Sequence, residues 1–159
     1  TNTFSCTFSI GVLHHTPDKK KGVKEAFRSM NVGGWFGLSV YQKNSYYDQP
    51  VLKFYRKLFS LLKPLFSFIP AIVYSYMAIT FIRPILQRFN FMKSKISKCF
   101  PFVDLPDKNW SILDTFDSIT PTYASTHDRS EVFEWLSAAG FQDIKPTKWG
   151  KTSFLVRKP

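Results

Sequence analysis

An apolar, strand-forming stretch from Phe4 to Ile10 closes on Gly11 and is followed, within about 40 residues, by a short helical segment, a glycine pair and a second apolar run. Strand, helix and strand in so short a space constitute a βαβ unit, whose strands are expected to be parallel and whose crossover is expected to be right-handed. Pro17 and Asp18 open the helix, with Asp18 as its cap and Val23, Phe27 and Met30 at i, i+4 and i+7 on one face. Lys19, Lys20, Lys21 and Lys24 fall mostly on the other face. Asn31-Val32-Gly33-Gly34 is expected to end the helix, and Trp35 to Tyr41 to form the second strand.

From Tyr46 to Phe102 the composition changes to Phe, Leu, Ile and Tyr, with no acidic residue between Asp48 and Asp104. This reads as an insertion. Pro50, Pro64, Pro70 and Pro84 are expected to cut it into helices near 51–63, 71–82 and 85–97, because proline is tolerated in a first helical turn and breaks an interior one. Pro101 and Pro106 then mark an irregular stretch to Trp110. The stretch from Phe68 to Ile82 is apolar for about 15 residues and contains Pro70, so it is short of the roughly 20 residues that span a bilayer.

Asp128-Arg129-Ser130-Glu131 reads as a capping box that opens a helix burying Val132, Phe133, Leu136 and Trp135, closed by Gly140. Phe141 to Lys148 and Thr152 to Arg157 read as a terminal hairpin turning at Trp149-Gly150.

A chain of 159 residues with 44% hydrophobic composition has room for one sizeable core. Its net charge of +11 favours acidic partners, either nucleic acid or an anionic membrane face. No nucleic-acid module is present in the pattern, so nucleic acid ranks below the membrane. Cys6 and Cys99 are too few for a disulfide framework and lack metal-motif spacing. With no secretory signal visible, a cytoplasmic location, with peripheral membrane contact, is the expectation.

Three blocks resemble class I (Rossmann-like) S-adenosylmethionine-dependent methyltransferases: Phe8 through Gly11 and His14-His15 to Asp18; Gly33-Gly34 with Leu38 to Tyr41; and Asp114 to Asp117 through Pro121, Tyr123 and His127 to Glu131–Trp135, Gly140 and Phe141. The resemblance implies an α/β fold, the second half of a seven-stranded sheet: strands four to seven, the last antiparallel, with a helical insertion. Residues 1–45 would be a partial core, 46–112 a helical insertion or lid, and 113–159 the C-terminal helix and hairpin of the same core. Only ten residues precede Gly11, and there is no Gly-x-Gly turn, so the resemblance implies a fragment without the family's main cofactor contacts. The methyl donor S-adenosylmethionine would belong to the complete protein, with a small-molecule or lipid-like acceptor. The rival expectation is a non-enzymatic cationic module that docks on a membrane or another protein.

By the resemblance, Ser9, Ile10 and Gly11 would line the methionine side of the cofactor. Read alone, Gly11 is a strand-to-loop glycine. His14 would orient or deprotonate the acceptor, and His15, Tyr41, Tyr123 and His127 would contact it; either histidine could instead only hydrogen-bond its loop. Asp117 is a substrate-side acid by resemblance or the start of a turn toward Pro121. Adjacent histidines project apart and lack a third ligand, so no metal is expected. Trp35, Phe133, Trp135 and Phe141 are expected in the core. Ligands of parallel sheets bind beyond the strands' carboxyl ends, here Ser9–His15 and Tyr41–Ser45.

Overall fold

Alternation along β1, Phe4–Ile10, sorts its side chains by face: Thr7 and Ser9 lie in register with Phe36 and Leu38, whereas Cys6, Phe8 and Ile10 take the opposite face. The computed structural model describes residues 3–88 and 99–159. After β1 come α1 (Lys19–Ser29), β2 (Met30–Ser39), α2 (Pro50–Phe66), α3 (Ile69–Met77), α4 (Arg83–Arg88), α5 (Lys108–Ile119), α6 (Arg129–Ala138), β3 (Gln142–Pro146) and β4 (Ser153–Arg157). The chain divides into two compact units, Thr1–Asp48 with Tyr123–Pro159, and Gln49–Thr122.

The first unit is α/β, with a mixed sheet in the order β1-β2-β4-β3. β1 and β2 are parallel, and β4 runs antiparallel to both β2 and β3. Asp18 caps α1 by accepting the Lys21 N–H at 2.9 Å. The helix then passes straight into β2, which corrects the expected stop at 31–34 and strand start at Trp35. β1 pairs Phe4 with Met30 and then Cys6 with Trp35, so residues 31–34 bulge from the ladder, with Gly33 at φ 80°. Lys158, just beyond β4, donates to the carbonyls of Phe27 and Met30 at this crossover.

α1 and α6 cover one face of the sheet and bury Val23, Phe36, Leu38, Val132, Leu136 and Val156. Trp135 and Phe141 join this core as expected, but Phe133 and Trp35 are exposed because they point away from the face on which α6 and the sheet meet. The expected capping box is also corrected. Asp128 stands at the N-cap without a side-chain cap bond; it binds Lys43 instead, whose ammonium it holds above the ordinary lysine pKa. Across the sheet, the face carrying Phe8, Ile10, Trp149 and Leu155 is uncovered among the described residues and borders an apolar cavity of about 420 Å³.

The second unit is helical and extends beyond the boundary expected at 112, to Thr122, because α5 packs on α2 and α3. α5 begins at Lys108, inside the stretch expected to be irregular, where Asp107 accepts the Trp110 N–H at 2.8 Å. Pro64 lies in the last turn of α2, and Pro70 in the first turn of α3. Pro84 does not end a helix: the wide turn Ala78–Ile82, in which the Arg83 N–H reaches the Ala78 carbonyl, opens the ladder just before it. Helical backbone therefore runs from Ile69 to Arg88, 20 residues that are long and apolar enough to cross a membrane by length and composition. The apolar helix is thus longer than the 15 or so residues expected from the sequence. Most of the helix expected over 85–97 lies outside the described residues. Arg83 pairs with Asp104 at 2.7 Å and donates to the Leu105 carbonyl at 2.7 Å, tying the chain before α5 to this long helix.

Candidate functional site at the carboxyl ends of the parallel strands

Because β1 and β2 are parallel, the segments leaving them emerge together, and the Gly11 N–H donates to the Ser39 carbonyl at 3.0 Å. Gly11 takes φ 71°, and a Cβ built there would meet nothing within 4 Å. The glycine thus turns the chain and leaves space beside its backbone. A single helical turn, Leu13–His15, comes next. It drives His14 fully into the interior, where its ring stacks on Tyr41 at 3.5 Å and its Nδ1 accepts the Tyr41 N–H at 3.3 Å.

His15 is more accessible. Its Nδ1 lies 2.8 Å from the Tyr123 carbonyl oxygen, which can only accept, so Nδ1 carries the proton. In the neutral ring the lone pair is then on Nε2. The segment from Tyr123 to His127 is laced across both strand ends: the Ser125 N–H and hydroxyl each donate to the His14 carbonyl at 3.1 Å, and the His127 N–H donates to the Tyr41 carbonyl at 2.8 Å. The His127 ring is buried against Trp135, with Nε2 2.8 Å from the Ser125 hydroxyl and Nδ1 3.1 Å from Glu131.

His14, His15, Tyr41, Tyr123 and His127, drawn from a span of more than a hundred residues, are thus brought to one end of the sheet beside Ser9, Ile10 and Gly11. Ser9 faces the core, and neither its buried hydroxyl nor that of Thr7 has a hydrogen-bond partner among the described residues. Ile10 is half exposed on the opposite, uncovered face.

Asp117 belongs to the other unit. It is an exposed residue in the last turn of α5, in the helical unit, and so is not the start of a turn. Asp114, one turn earlier, is partly buried; burial, and then the neighbouring Asp117 charge, raise its pKa. The expected polar cluster of Asp114, Asp117, Tyr123 and His127 is therefore divided between the two units.

Two contributors were not expected from the sequence. Tyr47 stacks nearly parallel on Tyr41 at 3.7 Å, extending the His14–Tyr41 stack, and Ser125 bridges His14 and His127. The Tyr46-Tyr47 doublet is a usable signal, but it falls where the composition shifts, at the start of the apolar insertion. Nothing in the pattern singled out Ser125. Among the described residues, no group of His, Cys, Asp and Glu side chains converges as metal ligands would. No protein-family model matches the chain, and no curated protein is significantly similar to it.

Proposed function

We propose that this chain carries the second half of a class I S-adenosylmethionine-dependent methyltransferase acting on a small-molecule or lipid-like acceptor. The observation that carries this reading is the sheet: a parallel pair followed in sequence by a hairpin whose last strand runs antiparallel to β2. Parallel strands in α/β proteins are normally buried on both faces, whereas here, among the described residues, α1 and α6 cover one face and the other stays uncovered. β1 also has no described neighbour on its outer edge. A glycine-rich strand-turn-helix unit beside β1 would satisfy both needs.

S-adenosylmethionine supplies an electrophilic methyl group on a sulfonium. Gly11, with open space beside its backbone, fits the methionine side of such a molecule, lined there by the backbone of Ser9, Ile10 and Gly11. The ribose and glycine-loop contacts require residues outside this sequence. Methyl transfer is an in-line displacement, accelerated chiefly by holding the reactants aligned. His15, with its Nδ1 proton committed to Tyr123, is suited to orient an acceptor or take its proton through Nε2. His14, buried under Tyr41, is a positioning residue in this scheme.

The test begins with the coding sequence immediately upstream, expected to encode the glycine-rich unit in frame. Calorimetry of the joined protein should give saturable S-adenosylmethionine binding, while the present chain alone gives none at the same concentrations. Gly11→Val in the joined protein should weaken binding about tenfold or more, from strain on the order of 1–3 kcal/mol at positive φ. A stop codon followed by this domain's own start, or tight stoichiometric binding by the chain alone, would overturn the proposal. The first of these outcomes would favour the cationic docking module, a reading supported by the +11 charge.

A further inference from the structure

The turn between α2 and α3 presents bare apolar side chains on a strongly basic segment. Leu65 is 78% exposed and Ile69 63% exposed, with Phe66 and Phe68 between them and Ser67 turning the chain at φ 55°. Single exposed apolar residues are ordinary, but a contiguous tip of them marks an interaction site. The exposed surface continues along both helices. Leu61 precedes the tip on the same face of α2, and Ile72 and Val73 lie beyond it at helical spacing on α3.

We infer that this tip docks into the headgroup layer of a bilayer containing anionic lipid. Charge complementarity selects that occupant. Between Asp48 and Asp104 the sequence holds nine lysines and arginines and no acidic residue. Lys57 lies one turn before Leu61 on the same face of α2, and the Lys63 ammonium sits over the Phe68 ring at 4.5 Å. Lysines placed beside apolar residues bury their stems in the apolar layer while their ammonium groups reach phosphate. A second copy of the chain would bring like charges face to face. Nucleic acid would leave the aliphatic Leu65, Ile69 and Ile72 with no base plane to stack on.

Interfacial docking fits the structure better than spanning, even though Ile69–Arg88 is long enough to cross. The inner face of that helix, including Ala71, Ser75 and Ala78, is already buried within its unit. α5, packed on it, carries Lys108, Asp114 and Asp117, which a spanning helix would drag into hydrocarbon. The proposal is independent of methyl transfer, because vesicle binding requires no cofactor.

The experiment is co-sedimentation of the whole chain with vesicles of phosphatidylcholine and of an equal mixture of phosphatidylcholine and phosphatidylserine. Binding should be confined to the mixed vesicles and decline with added salt as the charges are screened. The double variant Leu65→Glu, Ile69→Glu should bind about tenfold or more weakly, with an unchanged circular-dichroism spectrum because both sites are exposed. In a separate variant, Leu65→Trp, the added fluorescence should shift to the blue and be quenched by brominated lipid. Binding to neither vesicle, equal binding to both, or an unaffected double variant would overturn the proposal. So would self-association in the ultracentrifuge that the double variant abolishes, without vesicle binding by the unaltered chain.

Discussion

His15 gives its Nδ1 proton to the Tyr123 carbonyl oxygen at 2.8 Å, a bond that joins the turn after β1 to a segment more than a hundred residues later. In the neutral ring, nitrogen-15 spectra should therefore show protonated Nδ1 and bare Nε2 for His15. The opposite tautomer would remove the basis for Nε2 as the acceptor-facing atom.

Lys158 makes a comparable long-range connection. Its ammonium donates to the Met30 and Phe27 carbonyls at 2.8 and 2.9 Å and lies over the Phe27 ring at 4.7 Å, at the carboxyl end of α1. Charge-assisted bonds to the last carbonyls of a helix also suit its dipole. Lys158→Met keeps the apolar stem and removes the donors. Denaturant unfolding should show a loss of about 1.5–3 kcal/mol, and an unchanged midpoint would mean that water replaces the ammonium without cost.

Asp114 sets a pH dependence of defined sign. Burial first, and Asp117 second, raise its pKa in the folded state, so between its ordinary value of 3.8 and the raised one the folded chain binds more protons than the unfolded chain. This group's contribution to stability therefore falls as pH rises through that window and stays unfavourable above it. Asp114→Asn should flatten that part of the stability profile and leave neutral-pH stability equal or higher. A variant with the same slope as the parent would place the dependence on another group.

Gly140 closes α6 at φ 98°, and a Cβ there would lie 3.2 Å from the Phe27 ring. Gly140→Ala should cost on the order of 1–3 kcal/mol in thermal or chemical unfolding, from backbone strain together with displacement of the ring. A neutral result would mean that Phe27 and the turn relax together.

Local signals in the chain were sufficient for β1, the Asp18 cap, the parallel βαβ direction and the terminal hairpin, because each depends on alternation, a capping side chain or a turn within a few residues. Among the candidate residues, Gly11 and the adjacent histidines were singled out by the resemblance and by their place beyond the carboxyl end of a strand. Tertiary structure decided the rest. Whether 31–34 ended a helix or bulged from a strand depended on pairing with β1, and whether Pro84 broke a helix depended on a wide turn before it. Asp128 and Glu131 have the spacing of a cap, but Lys43, 85 residues away, takes the Asp128 carboxylate, and the neighbouring His127 takes that of Glu131. The assembly of His14, His15, Tyr41, Ser125 and His127 at one sheet end required backbone hydrogen bonds across more than a hundred residues, and no local periodicity encodes a partner at that distance.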